Sequence, residues 1–177
     1  MKRKPIRLTP TSYAVLALLA HFGEATPYDL KQALDKSIEN FWQVPHTTAY
    51  EEPARLAEGG YLSAHQEPGG RRRKVYALTD MGREALRAWA DQPDVAPPQL
   101  RDEALLKIFA GADPGPILVS RRAWHAAKLA ELQGYLDAAR ELSAGISAGA
   151  ERTLIAGTAY HHMMLEMLDA LEAAGED

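Results

Sequence analysis

Apolar residues recur at helical spacing over residues 10–22. Tyr13, Leu16, Ala17 and Ala20 form the stripe, and Val15, Leu18 and Leu19 widen it. This pattern predicts a helix whose start lies at Leu8-Thr9-Pro10-Thr11-Ser12 and which Gly23 ends. "TPYDL" then opens a second helix. Thr26 suits the N-cap, Pro27 the first helical position and Asp29 a capping-box site, while Tyr28, Leu30, Ala33 and Leu34 can bury. That helix is expected to end near residues 36–39. "FWQVP" links it to a third helix over residues 46–58, with Phe41 and Trp42 read as core anchors and Gly59-Gly60 as the stop. "YLSAHQ" and "KVYAL" alternate and are rich in β-branched and aromatic residues. "EPGGRRR" lies between them, so they form a hairpin. A fourth helix follows with Thr79 as its N-cap and Ala85, Leu86 and Trp89 on its buried side.

The pattern changes at "PDVAPPQ", residues 93–99, where three prolines in seven residues cannot continue a helix. Beyond it come a short helix in "RDEALLKIFAG", a long helix that Asp113-Pro114 can cap, and a last helix over residues 151–173. In the long helix Leu129, Leu132, Leu136, Ala139 and Ser143 recur at 3-4 spacing, close to a coiled-coil seam. "SAGISAGAE" reads as a turn or weak point, and the last helix is expected to bury Leu154, Thr158, Leu165, Leu168 and Leu171.

Helix, helix, helix, hairpin, helix is the order of a winged helix-turn-helix. The expected fold class is therefore mainly α with a small β-hairpin wing. Residues 1–92 form a winged helix-turn-helix DNA-binding domain, 93–99 a proline-rich linker, and 100–177 a helical dimerisation domain. Leu129, Leu132, Leu136, Leu165 and Leu168 are the expected dimer contacts, because two-fold pairing supplies two half-site readers.

Charge sharpens this picture. The 177-residue chain carries a formal net charge of −4, with 46% apolar and 25% charged residues, a composition that can form a core. Residues 1–90 hold 13 Lys and Arg against 10 Asp and Glu, and residues 91–177 hold 7 against 14. The front half can approach a polyanion and the back half is repelled by one. Cysteine is absent, which excludes disulfide and thiol chemistry in this chain and fits a cytoplasmic protein. The basic start and apolar run of residues 1–20 are read as a first helix rather than a signal peptide. No apolar run reaches the ~18 residues of a membrane helix.

The stretches "LTPTSYAVLALLA", "TPYDLKQAL", "FWQVPHTTAYEEPARLAEGGYL" and "GGRRRKVYALTDMGREALRAW", in this order and spacing, resemble the PadR-like transcriptional regulators. The later "EALLKIFAG", "DP" and two helices resemble that family's dimerisation region. The resemblance implies a dimeric DNA-binding regulator, usually a repressor, often responsive to a small hydrophobic or phenolic effector. The chain departs from the family's usual pattern in the third helix, where Glu51 rather than proline follows Tyr50 and the proline is Pro53.

Duplex DNA is held through phosphates and read through base edges. At the wing tip Arg71, Arg72, Arg73 and Lys74 are the candidate phosphate contacts, with Lys2, Arg3, Lys4 and Arg7 as a basic arm. His46, Thr47, Thr48 and Tyr50 sit near the N-terminal end of the third helix, the end that enters the major groove. Thr48 is either a DNA contact or the cap of a Thr48-x-x-Glu51 box. Arg55, also a DNA candidate, is expected to pair with Glu51 four residues before it. Proline within that helix removes the donor to the Ala49 carbonyl and predicts a kink. His162 and Glu166, four apart, are a poor metal pair beside His161, and the three read as surface residues. Met163, Met164, Met167 and Trp124 read as core or as an adaptable pocket at a dimer interface. No nucleophile–base set, phosphate loop or dinucleotide fingerprint is present, so neither an enzyme nor a cofactor or metal is expected. The alternative function is a winged-helix module that binds protein instead of DNA.

Overall fold

The structure, a computed structural model, describes residues 6–38, 41–42, 44–45, 47–67, 72–141 and 146–174. The chain divides into two compact units, Met1–Ala96 and Pro97–Asp177. The first holds α1 (Pro10–Phe22), β1 (Glu24–Ala25), α2 (Pro27–Ser37), α3 (Thr48–Gly59), β2 (Leu62–Gln66), β3 (Lys74–Leu78) and α4 (Asp80–Ala90). The second holds α5 (Glu103–Phe109), α6 (Pro114–Glu141) and α7 (Ala148–Ala173).

Helix starts are set by side chains. Thr9 and Ser12 form a capping box on α1, and Thr26 and Asp29 form one on α2, each followed by proline at the first turn. Asp29 Oδ2 accepts from the Thr26 backbone N–H at 3.0 Å and from its hydroxyl at 2.7 Å. The Thr26 hydrogen bonds hold the Asp29 carboxyl below its ordinary pKa. Gly23 ends α1 at φ 82°, in the left-handed half of backbone space that glycine enters without cost. The chain then forms β1, a two-residue strand that the hydrophobic pattern did not predict. It pairs antiparallel with β3, Glu24 opposite Ala77, so the wing is a three-stranded sheet in the order β1-β3-β2. The β2–β3 register runs from Leu62 opposite Leu78 to Gln66 opposite Lys74.

Val15, Leu16, Leu19, Leu30, Leu34, Ala49, Leu56, Leu62, Tyr76 and Leu78 make one core among α1, α2, α3 and the sheet. Each fully buried leucine contributes about 2 kcal/mol of transfer free energy. Phe41 and Trp42 are outside this core, at 56% and 41% exposed. They sit on the turn closing α2, where both backbone N–H groups donate to the Ile38 carbonyl, and Val44 is the linker residue packed inward. On α4, Ala85 and Leu86 are half-buried. Trp89 is 42% exposed, and one face stacks on Tyr13 at 4.5 Å with the rings 5° from parallel.

In the second unit α6 and α7 run antiparallel. Arg122 pairs with Asp169 and Glu172, His125 meets His161, and Leu132 lies against Gly157. Sequence separation therefore falls steadily toward the connection. This pairing uses the leucine seam within the chain. Leu132 is 1%, Leu136 8% and Leu168 3% exposed, and Leu129 and Leu165 are half-buried. Leu132, Leu136 and Leu168 are thus buried within this unit, and Leu106, Phe109, Val119, Ile155 and Met163 are among its exposed apolar positions, at 51–89%. The last helix starts at Ala148, three residues before the sequence pattern placed it, because the Ser147 hydroxyl caps it. Met164 is buried beneath that exposed side and belongs to the core.

Candidate nucleic-acid interface

Helices α2 and α3 form the helix-turn-helix. On α3, Ala49, Pro53 and Leu56 point into the core and are all buried. The opposite face carries Thr47, Tyr50 and Glu51, all exposed, with Tyr50 at 50%. The helix begins at Thr48, two residues later than expected. Thr47 is its N-cap residue and its side chain makes no capping bond. The expected Thr48–Glu51 capping box is therefore absent. The Thr47 carbonyl instead accepts from both the Tyr50 and Glu51 N–H groups at 3.0 Å. Thr48 is half-buried, and the Thr47 hydroxyl is spared from capping. His46 lies outside the described residues.

Arg55 also departs from expectation. It pairs with Glu52, three residues before it, and not with Glu51. Arg55 Nε donates to Glu52 Oε2 at 2.8 Å and Nη2 to Oε1 at 2.5 Å, while Nη1 donates to the Arg7 carbonyl at 3.0 Å and Nη2 to Ser12 Oγ at 2.9 Å. These acceptors lie on the α1 side of α3, and together they outweigh a pair with the outward-facing Glu51. Burial works to raise the Glu52 pKa. The hydrogen bonds from Arg55 and Ser12 and the guanidinium charge overcome it and hold the carboxyl below its usual range. Helix α3 runs on through Pro53, which has no N–H to give the Ala49 carbonyl.

The wing lies after the helix-turn-helix. Its tip, including Arg71, is outside the described residues, as are Lys2, Arg3 and Lys4. At its base Arg73 closes the hairpin: Nε donates to Glu67 Oε2 at 2.9 Å and Nη2 to Oε1 at 3.1 Å, and the Glu67 N–H donates to the Arg73 carbonyl at 3.0 Å. Glu67 raises the Arg73 pKa still further, mainly through these bonds. Arg72 is exposed and left-handed at φ 47°, and Lys74 places its ammonium 5.3 Å from the Tyr76 ring centroid. Arg72 and Lys74 thus present cations outward, and Arg73 is shared between the wing and any anion it meets. The structure brings α3 and the wing base into one unit. Exposed Phe41 and Trp42, which periodicity assigned to the core, come just before α3.

Residues 15–88 match the transcriptional regulator PadR-like family. The matched stretch, from α1 through α4, is similar to that family's domain. The negative transcriptional regulator PadR of Bacillus subtilis (strain 168) is 28% identical over 129 residues, 69% of this chain and 70% of that protein. Two crystal structures of Bacillus subtilis PadR share the fold. The one in complex with operator DNA superposes with a TM-score of 0.79 at 23% identity, covering 96% of this chain and 99% of that one. The one in complex with p-coumaric acid gives 0.71 at 21%, covering 97% and 99%. The PadR-like resemblance and the mainly helical winged fold read from the sequence are thereby borne out, and the matched domain is that of transcriptional regulators.

The second unit holds side chains whose roles periodicity missed. His125 and His161 are 1% and 2% exposed, with Nδ1 atoms 2.9 Å apart. His161 is thus a core residue, while His162 and Glu166 are exposed. Among the described residues no group of three or more His, Cys, Asp and Glu could hold a metal ion. No described helix is long and apolar enough to cross a membrane.

Proposed function

We propose that this PadR-like chain is a homodimeric, DNA-binding transcriptional repressor of the cytoplasm, without catalytic activity, that recognises an inverted repeat. The observation that carries the reading is the exposure of Thr47 and Tyr50 at the start of α3, in one unit with a wing whose Arg72 and Lys74 face outward. The relative crystallised with operator DNA supports it. Residues 1–92 are assigned to DNA binding, 93–99 to the linker and 100–177 to dimerisation. Thr47, Thr48, Tyr50 and His46 read the groove, and Arg71, Arg72, Arg73 and Lys74, with Lys2, Arg3 and Lys4, hold phosphates. The relative bound to p-coumaric acid supports release by a phenolic effector.

The deciding experiment titrates the protein against a duplex spanning the region upstream of its own coding sequence, over a salt series. Binding should weaken steeply with salt. Alanine at residues 71–74 should weaken binding to every sequence and lower the salt slope by about one unit for each phosphate no longer held. Unchanged affinity and slope would remove the wing from the interface. No binding to any duplex would leave the winged helix as a protein-binding module.

A further inference from the structure

Arg55 lies where a helix-turn-helix protein could use a cation on DNA, yet its guanidinium already makes four hydrogen bonds to three groups. A guanidinium has five N–H donors in a rigid planar fork. Here one edge grips the Glu52 carboxylate, at 2.8 and 2.5 Å, and two further donors reach the Arg7 carbonyl at 3.0 Å and Ser12 Oγ at 2.9 Å. Ser12 is fully buried and also closes the α1 capping box. A second fastening lies one turn further along α3. The Ile6 side chain packs over Gly59, so closely that a Cβ there would stand 2.5 Å from Ile6 Cδ1. Ile6 and Arg7 are therefore held against the flank of the helix that carries Thr47 and Tyr50. The Arg7 side chain itself is exposed, and it is the last of four cations in the first seven residues.

We propose that Arg55, with Gly59, is a positioning residue for DNA binding: it fixes the chain at residues 6–7 alongside α3 so that the exposed Arg7 guanidinium meets a backbone phosphate flanking the groove that α3 enters. The proposal rests on the DNA-binding reading above. In it, Arg55 makes no DNA contact. The planar fork is the essential property, since a lysine ammonium keeps the charge but cannot reach a carboxylate, a carbonyl and a hydroxyl in one plane.

The test measures binding of the full-length protein to the upstream duplex by fluorescence anisotropy over a salt series. Circular dichroism verifies that each variant is folded. In the wild-type background Arg7→Gln should cost on the order of tenfold in affinity at physiological salt and lower the salt slope by about two, one phosphate for each protomer of a dimer. In Arg55→Lys or Arg55→Met backgrounds the same Arg7→Gln change should cost less than about twofold, and both backgrounds should already bind as weakly as Arg7→Gln alone. Gly59→Ala displaces Ile6 without altering any charge. It should likewise shrink the effect of Arg7→Gln, and it decides the matter if the Arg55 variants fail to fold. Near-wild-type binding by Arg55→Lys would make Arg55 a phosphate contact and overturn the proposal. So would additive effects of Arg7 and Arg55, or an Arg7→Gln protein with wild-type affinity and slope. A wild-type protein that binds no duplex overturns the DNA-binding reading as well, whereas intact binding that ignores Arg7 overturns this proposal alone.

Discussion

The buried imidazole pair makes the stability of the second unit depend on pH in a defined window. His125 and His161 share an Nδ1···Nδ1 hydrogen bond of 2.9 Å, which requires a proton on one Nδ1 and a lone pair on the other. His125 Nε2 is buried without a hydrogen-bond partner. An N–H left there would be an unsatisfied donor, so the cheaper arrangement puts the His125 proton on Nδ1 and makes His161 the acceptor. Protonating His161 at Nδ1 destroys that acceptor, and protonating His125 at Nε2 buries an unpaired charge. Burial lowers the His125 pKa from 6.5 to about 4, helped by His161 and Arg121 and opposed by Asp102. Burial lowers His161 too, with Lys128 adding to the effect and Glu131 opposing it.

The unfolded chain binds a proton at His125 from about pH 6.5 downward and the folded chain does not until about pH 4, and the lowered His161 acts in the same direction. Stability is therefore fully present above 6.5 and falls as pH drops through this window. At 1.36 kcal/mol per pKa unit, His125 alone accounts for about 3 kcal/mol across the window and about 2 kcal/mol at pH 5. Acid destabilisation through the carboxylates held by Thr26, Arg55 and Arg121 begins lower, as pH falls through the ordinary carboxylate range toward their depressed folded values. Urea unfolding at about pH 7.5 and about pH 5, at fixed protein concentration, measures the difference. Trp124, edge-on to both rings at 4.7 and 5.5 Å, reports this unit once Trp42 and Trp89 are replaced by phenylalanine. The double variant His125→Leu, His161→Met should lose the pH dependence and stay within about 1 kcal/mol of wild type at the higher pH, because both partners of the hydrogen bond leave together. His125→Leu alone strands the His161 nitrogen and should cost about 1–3 kcal/mol at either pH. A wild-type protein as stable at pH 5 as at pH 7.5, or a double variant with the wild-type slope, would refute the neutral buried pair.

Two further substitutions test the scaffold of the first unit. Gly82 lies where α4 meets the end of α3, and a Cβ there would stand 2.2 Å from the Tyr61 carbonyl oxygen; Gly82→Ala should destabilise the unit by about 1–3 kcal/mol in denaturant unfolding, and a neutral result would mean the α4 junction yields freely. Thr26→Ala removes the acceptor for the Asp29 N–H and the hydroxyl that donates to the Asp29 carboxylate; it should cost about 1 kcal/mol at neutral pH and less once Asp29 is protonated, so a cost that does not shrink in acid would assign the effect to packing.

What the chain reveals before folding depends on how far each interaction reaches. The caps at Thr9, Thr26 and Thr79 and the hairpin between residues 62 and 78 are legible because their partners lie within a few residues. Strand β1 is two residues long and exists only because β3, fifty residues on, presents a free edge, so no local pattern encodes it. The α6 seam is legible as a seam but its partner is not. A 3-4 leucine repeat suits α7 of the same chain as well as a second copy, and the choice follows from the short connection between them. The His125–His161 bond spans 36 residues and leaves no periodic trace, since one histidine per helix on an apolar face looks like any isolated polar residue.

The acidic third helix shows the same limit at the interface itself. Glu51 and Glu52 are adjacent in sequence but point in different directions on a 100° helical step. Spacing alone favours Glu51 as the partner of Arg55, because four residues is the better helical interval. Tertiary structure reverses the choice: the Arg7 carbonyl and Ser12 hydroxyl lie on the Glu52 side, and four hydrogen bonds there outweigh one exposed ion pair, which in isolation contributes only about 0.5 kcal/mol. Glu52 is thus neutralised inward, and Glu51 is the exposed acidic group next to Tyr50 at the start of α3. A lone carboxylate at that position disfavours a nearby phosphate and tolerates a base-edge donor such as the cytosine amino group. In the proposed complex the cations of the wing and of Arg7 bring α3 to the duplex, and Glu51 biases which sequences it accepts. Glu51→Gln should then raise affinity for all duplexes while weakening the preference among them, and a uniform gain with unchanged preference would restrict Glu51 to electrostatic repulsion.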